Sequence, residues 1–210
     1  MRYKSCNCIF CNCSHSEDNP ITKDHIPSKV IYKDERIDEQ RITVPCCYKC
    51  NQAFSIEENF IEEIIKELRN ENYNCAYVKK LIINNPHLGF VIRKIALGYK
   101  YHWTGKPVYE DKIANVDYLI KGINDSEISE FNSMPLKEVC SDIDNIHNVP
   151  YALFIDIADP SGETRTTKCC GLIENTGNLL NEYFWHYYDK IANTIKFAFY
   201  NKLFVKVTFE

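Results

Sequence analysis

The chain has 210 residues, of which 45% are hydrophobic, and a formal net charge of −4. This length is enough for one core, or for a small module joined to a larger body. No stretch of about 18 apolar residues occurs, which argues against a membrane-spanning helix. The negative balance argues against a general polyanion binder, so any nucleic-acid binding needs a local basic surface or a partner.

Eleven cysteines are unusually many for a chain of this length. The amino terminus is polar and rich in cysteine, unlike a signal peptide. We therefore expect a soluble cytoplasmic protein whose cysteines bind metal in a reducing compartment, rather than a secreted disulfide scaffold.

Two Cys-x-x-Cys pairs have the spacing of zinc knuckles, Cys8/Cys11 and Cys47/Cys50. Four thiolates in two close pairs suit a structural, tetrahedral Zn²⁺. The spacer between the pairs is about twice the roughly 15–20 residues of a short zinc ribbon. It is long enough for a strand, a loop and a returning strand. The other nearby cysteines lack this spacing and are predicted to be bystanders: Cys6, Cys13 and Cys46.

The spacer contains the Asp24-His25 dipeptide, and Asn51 directly follows the last cysteine. Strands are predicted over Ile21–Ile26 and 41–44. The first ends at Pro27, because the residue before a proline favours extended geometry. Neighbouring side chains of a regular strand point to opposite faces. We therefore expect Asp24 and His25 at the strand end, where that geometry breaks down.

A helix is predicted after Asn51, with Ser55 and Glu58 at capping-box spacing. The glutamates of this helix are expected to face water. Acidic residues are favourable in the first turn of a helix, which accounts for Glu57 and Glu58; the alternative is that both are extra metal ligands. The apolar residues recur at intervals of four and predict one buried stripe: Ile56, Phe60, Ile64 and Leu68.

Further helices are predicted over 76–83 and 88–99, the second with Lys94 and Lys100 on the face opposite its apolar side. Helical pieces are predicted near 111–121 and a loop over 124–127. From residue 150 the pattern changes to period two with β-formers, which indicates strands. Their predicted ranges are 151–157, 164–173, 194–200 and 203–209, the last two forming a hairpin.

The motif residues resemble the HNH endonucleases, specifically those with two Cys-x-x-Cys pairs around a ββα-metal motif. The resemblance rests on Cys8, Cys11, Asp24-His25-Ile26-Pro27, Val44-Pro45, Cys47, Cys50 and Asn51. It implies that His25 is the general base that activates water. It also implies that Asp24 and Asn51 hold a catalytic Mg²⁺ or Mn²⁺ ion. The middle asparagine of the family pattern falls on Ile42, so either Gln40 or Thr43 replaces it or the site forms poorly without substrate or partner.

The resemblance covers roughly the first quarter of the chain and implies a zinc-clamped ββα-metal (HNH) module over residues 1–70. For 71–210 the change of periodicity near residue 150 predicts helices followed by a mostly antiparallel C-terminal sheet, so the expected class is α+β. The implied activity is hydrolysis of phosphodiester bonds, most simply in DNA, and a defence or mobile-element role is an expectation from the resemblance alone. Two alternatives stay open. One is a zinc-stapled interaction module without catalysis. The other is a nuclease effector whose C-terminal region senses a signal, docks on a protein partner or forms a homo-oligomer.

Overall fold

The computed structural model describes residues 6–31, 42–132, 152–158, 164–170 and 184–210. Within these ranges the chain forms five α-helices and eight strands, and every strand pairing is antiparallel. The predicted α+β class and antiparallel C-terminal sheet are confirmed. None of the helices in these ranges is long and apolar enough to cross a bilayer.

The first two strands form a separate hairpin. Strand β1 spans Ile21–Ile26 and β2 spans Ile42–Cys47, with a short 3₁₀ helix at Lys29–Ile31 between them. The β1 prediction is confirmed. Strand β2 runs through Pro45 to the second cysteine pair and is longer than predicted, while position 41 lies outside the described residues.

The helix after the hairpin begins earlier than predicted. Helix α1 spans Tyr48–Phe60, and its N-cap is Cys47, whose Sγ accepts a hydrogen bond from the backbone of Cys50. The predicted capping box is therefore wrong. Ser55 lies inside the helix, where its hydroxyl donates to the Asn51 carbonyl at 2.9 Å.

A break at Ile61 separates α1 from α2, which spans Glu62–Arg69. The break divides the predicted apolar stripe, because it changes the direction in which the following side chains point. Ile56 and Phe60 are 58% and 52% exposed, whereas the stripe residues in α2 are buried. The expectation that the glutamates face water is also wrong for Glu58, which is buried.

Helices α3, Cys75–Asn84, and α4, His87–Thr104, confirm the two helices predicted next, and α4 extends five residues beyond the predicted end at 99. Helix α4 stops at Gly105, which adopts a left-handed conformation (φ 65°) that suits glycine. The predicted exposure of Lys94 and Lys100 is wrong, since both are buried in the middle of the molecule.

The region after α4 reverses two predictions. The segment predicted as helical near 111–121 is strand β3, Ile113–Ile120, and the predicted acidic loop begins helix α5, Asp125–Asn132. Strand β3 pairs along its length with the last strand of the chain. That distant partner stabilises an extended conformation, which local sequence alone does not reveal.

The C-terminal strands largely match the prediction: β4 Ala152–Ala158, β5 Thr164–Cys170, β7 Thr194–Phe199 and β8 Leu203–Phe209. The predicted terminal hairpin of β7 and β8 is confirmed. An unpredicted strand, β6 at Phe184–Asp189, completes a sheet with the order β3-β8-β7-β6, and β4 pairs with β5. Predicted strand positions 151 and 171–173 lie outside the described residues.

One apolar cluster joins the helices to this sheet. It includes Ile26 of the hairpin, Ile64 of α2, Ile92 of α4 and Phe197 of β7. Helix α4 lies between the hairpin and the sheet, in contact with β1, β2, β6 and β7. It thereby fixes the position of the hairpin that carries the motif residues. The proposed division of the chain at residue 70 stays a prediction.

Helix α4 approaches β1 most closely at Gly98. A Cβ atom added there would lie 2.6 Å from Cγ1 of Ile26, a fully buried side chain next to His25. We expect Gly98→Ala to lower the free energy of unfolding by about 1–3 kcal/mol, because the packed core must shift to admit the methyl group. Urea unfolding of the full chain measures the change.

Gly89 provides the matched control, since it lies in the same helix and a Cβ there would meet no atom within 4 Å. Gly89→Ala should be neutral or stabilising by up to about 1 kcal/mol, because alanine favours helix more than glycine does. If both substitutions changed the free energy of unfolding equally, the close contact with Ile26 would not be the reason that glycine is needed at position 98.

Candidate functional site

The two Cys-x-x-Cys pairs meet in space. The Sγ atoms of Cys8, Cys11, Cys47 and Cys50 all lie within 4.8 Å of one another, and those of Cys11 and Cys47 are 3.7 Å apart. A zinc ion with Zn–S bonds of about 2.3 Å separates its four sulfur ligands by about 3.8 Å. The four thiols therefore fit a tetrahedral metal such as zinc, with small adjustments.

A tight turn shapes the first pair. The backbone N–H of Asn12 donates to the Cys8 carbonyl at 2.8 Å, and that of Cys8 donates to the Cys13 carbonyl at 2.9 Å. Asn12 has a φ of 59°, a left-handed conformation that asparagine tolerates better than most residues. The turn is attached to the hairpin by the N–H of Ile9, which donates to the Pro45 carbonyl at 3.1 Å.

The start of α1 shapes the second pair. Cys47 is the last residue of β2 and the N-cap of α1, so its sulfur lies where the strand changes into a helix. Cys50 is in the first turn of α1. The N–H of Tyr48 donates to the Pro20 carbonyl at 2.9 Å, which attaches this helix start to the beginning of β1.

Two neighbouring cysteines, Cys46 and Cys13, lie close to the four thiols but are not part of the group that fits a metal ion. Cys46 is fully buried, and its thiol, by hydrogen bonding to Cys8, lowers the pKa of Cys8 to about 4. Substitution at Cys46, which the sequence suggested would be almost silent, removes this contact and a buried side chain. Cys13 packs against the same cluster and receives a hydrogen bond from Asn19 at 3.4 Å.

Asp24 and His25 both lie inside the ladder of the hairpin. Asp24 is opposite Val44, His25 is opposite Thr43, and the strand continues to Ile26. The expected departure from strand geometry at this pair is therefore absent. Successive side chains of such a strand point to opposite faces, so Asp24 and His25 are directed to different sides of the hairpin.

Asn51 is on the Asp24 side of the hairpin. Its Nδ2 donates to Oγ1 of Thr22 at 3.3 Å, and Thr22 precedes Asp24 by two residues on β1. Residues two apart on a strand share a face. The structure therefore brings Asn51 and Asp24 to one face, while His25 lies on the other.

Thr43 is directly opposite His25 in the ladder. Residues directly opposite each other in an antiparallel pair point to the same side of the sheet and lie within contact range. Thr43 therefore lies beside His25 on the same side of the hairpin, and whether it replaces the asparagine of the family pattern stays a prediction. Ile42 pairs with Ile26 instead, and Gln40 lies outside the described residues.

Asp24 is 6% exposed and lies next to a buried lysine. Nζ of Lys94, in α4, is 3.0 Å from each Asp24 carboxylate oxygen and 2.6 Å from Oε1 of Glu58. Lys94 itself is only 1% exposed. Burial raises the pKa of the Glu58 carboxyl, and the adjacent Lys94 charge partly opposes this effect.

Glu58 lies on the same side of α1 as Asn51, because residues seven apart in a helix share a face. Thr22, Asp24, Asn51, Glu58 and Lys94 therefore form one polar cluster between the hairpin, α1 and α4. Carboxylate and amide oxygens suit a hard cation such as Mg²⁺ or Mn²⁺. Beside Asp24, the cation in this structure is the Lys94 ammonium.

Sequence reasoning placed Lys94 on the solvent face and treated Glu58 as a capping residue. A signal for Lys94 was present in the helical spacing. Lys94 is three residues after Val91 and four before Gly98, both on the packed side of α4. A lysine within an apolar helical face needs a buried partner of opposite charge. The sequence does not identify that partner, because Asp24 is 70 residues away.

No protein-family model matches the chain, and neither a curated protein nor a solved structure is significantly similar to it.

Proposed function

We propose that the protein is a metal-dependent endonuclease of the HNH type that hydrolyses phosphodiester bonds in nucleic acid, with DNA as the expected substrate. The observation that carries the proposal is the shared position of Asp24 and Asn51 on one hairpin face, in the same module as the four-cysteine cluster. The order of hairpin, cysteine pair and helix is also that of a ββα-metal module.

A structural zinc on the four cysteines would hold the site together. It would fix the turn at Cys8 and Cys11 to the junction of β2 and α1, the helix whose first turn carries Asn51. A complete shell of four thiolates leaves no coordination position for water, so this metal would contribute to folding and not to the reaction.

His25 would act as the general base once the end of β1 opens, because in the ladder its side chain and the proposed ion site lie on opposite faces and both must reach the same phosphate. A neutral imidazole can accept a proton from water, which is the role that histidine most often takes in general acid–base catalysis. Its side of β1 also carries Lys23, which is exposed and can approach a phosphate. Strand β1 pairs only with β2 among the described residues, so nucleic acid can approach along its other edge.

Asp24 and Asn51 would hold the catalytic ion, Asp24 through a carboxylate oxygen and Asn51 through its amide oxygen. When bound, Mg²⁺ or Mn²⁺ stabilises the negative charge that develops on the phosphate and the leaving oxygen. Three exposed lysines near the hairpin offer the local basic surface that the net charge of the whole chain does not: Lys23, Lys29 and Lys49.

The second candidate is an interaction module without catalysis. Three large apolar side chains on α1 and α4 are exposed: Ile56, Phe60 and Phe90. A zinc-stapled fold with such a surface suits protein binding. The ion pair between Asp24 and Lys94 also has a purely structural interpretation, in which it only stabilises the packing of α4 on the hairpin.

Cleavage assays distinguish these candidates. Purified full-length protein is incubated with supercoiled plasmid and with RNA, in Mg²⁺, Mn²⁺ or EDTA. We expect nicked or linear plasmid with either divalent ion and none with EDTA. Recovery of activity on adding excess Mg²⁺ shows that EDTA removed the catalytic ion and not the zinc. Cleavage of RNA alone would move the substrate to RNA, and cleavage of neither would leave the interaction module.

A further inference from the structure

The site proposed to bind a divalent ion already contains a positive charge. The Lys94 ammonium contacts both Asp24 and Glu58. All three side chains are buried: the exposed fraction is 1% for Lys94, 8% for Asp24 and 11% for Glu58. A buried charge is stable only when paired, so these residues form a unit that joins the hairpin, α1 and α4.

The charges of this unit do not balance. Two carboxylates share one ammonium, which leaves a formal charge of −1. Oδ2 of Asp24 is buried and accepts no hydrogen bond from any residue that the structure describes, although Lys94 Nζ lies 3.0 Å away. A buried carboxylate oxygen that shares one ammonium and accepts no hydrogen bond retains lone pairs for a further ligand.

A divalent ion would satisfy both features if it took the place of the ammonium. Its charge of +2 would neutralise two carboxylates, and it would coordinate Oδ2 of Asp24 in place of the ammonium. The lysine and the ion cannot both lie within contact distance of Asp24 without strong repulsion between their charges. Lys94 has a flexible stem of four methylenes, so its ammonium can move away from Asp24 while the helix remains in place, and the Phe54 ring, with its centroid 5.3 Å from Nζ, is a further partner for its charge.

We propose that Lys94 competes with the divalent ion for Asp24, with Glu58 as a further ligand of that ion. The resting protein then contains its own cation, and the divalent ion binds only when the ammonium moves away. This inference rests on the proposed function for its biological meaning, but it concerns metal binding and is measurable without any cleavage.

The test measures Mn²⁺ affinity in zinc-loaded full-length protein, by the electron paramagnetic resonance signal of free Mn²⁺. We expect Lys94→Met to tighten Mn²⁺ binding by about tenfold or more, because one nearby positive charge is removed. Adding Asp24→Asn to that variant should abolish the gain. Unchanged or weaker binding by Lys94→Met would overturn the competition.

Lys100→Met is the matched control. Lys100 is a buried lysine of the same helix that pairs with Asp111 at 3.1 Å and does not contact the Asp24 unit. Its substitution should leave Mn²⁺ affinity at the wild-type value. An equal increase in both variants would mean that net charge alone sets the affinity, which would also contradict a specific role of Lys94.

A second neutral variant protects the test against misfolding of Lys94→Met. Lys94→Gln removes the ammonium, keeps a polar side chain beside Asp24 and Glu58, and leaves both proposed ligands in place. The competition predicts tighter Mn²⁺ binding than in the wild type here as well. Affinity at or below the wild-type value would overturn the inference.

The plasmid assay separates this inference from the proposed function. Tighter Mn²⁺ binding without cleavage by any variant would reject the nuclease and leave the competition in place. Cleavage by the wild type with unchanged Mn²⁺ affinity in the Lys94 variants would retain the nuclease and reject the competition.

Discussion

Replacing His25 with alanine should lower plasmid cleavage by roughly 10²–10⁴-fold, the usual effect of removing a general base. The protein should still fold, because His25 is only half-buried and adjoins no part of the four-cysteine cluster. Cleavage rates and thermal unfolding of the same preparation measure both quantities. Mn²⁺ binding should stay near the wild-type value, since the ion is assigned to the opposite face of the hairpin.

His102→Ala is the control for the loss of an imidazole elsewhere. His102 is exposed near the end of α4, away from the hairpin face. Its substitution should leave cleavage unchanged. If His25→Ala retained full activity while the wild type cleaved DNA in a metal-dependent way, the general base would have to be another residue, and the assignment by family resemblance would be wrong.

Removing one zinc ligand should have the largest effect on stability. Cys11→Ser should lower the zinc content from one ion per chain to almost none. It should also unfold the hairpin and the start of α1, because a structural zinc can contribute about 10 kcal/mol or more to folding. Cys11 is exposed and is not a helix cap, so the effect of replacing it comes from loss of the metal. Replacing Cys47 would also remove the N-cap of α1 and mix the two effects.

Elemental analysis and hydrogen exchange of the hairpin amides measure this effect. Cys75→Ser, at the start of α3 and outside the cluster, should keep its zinc and its protection against exchange. Native protein purified without zinc or any other tightly bound transition metal, with the hairpin still protected, would contradict a metal-clamped fold.

The candidate site was only partly predictable. The cysteine pairs and the convergence of Asp24 with Asn51 follow from spacing, because a metal clamp brings the two ends of a long loop together. The orientation of His25 does not follow. It depends on whether the ladder continues past the dipeptide, and it does so by one residue, Ile26. The roles of Lys94 and Glu58 depend on α4 packing against the hairpin.

The sequence by itself determined the features whose causes lie within a few residues. The period-two pattern of β8 and the turn residues before it specify the terminal hairpin, where Asn201 takes a positive φ of 50°. Each Cys-x-x-Cys segment likewise specifies its own tight turn, because the two cysteines are only three residues apart. These elements need no distant partner to be recognised.

Only the tertiary structure decided the features that depend on distant contacts. Strand β3 is extended because β8 pairs with it from the other end of the chain. Helix α1 begins at Tyr48 and not near Ser55, because the folded knuckle supplies Cys47 as its cap. Lys94 is buried because two carboxylates from separate elements surround it. A buried charge is tolerated only where its partners are already in place, and that condition belongs to the folded molecule as a whole.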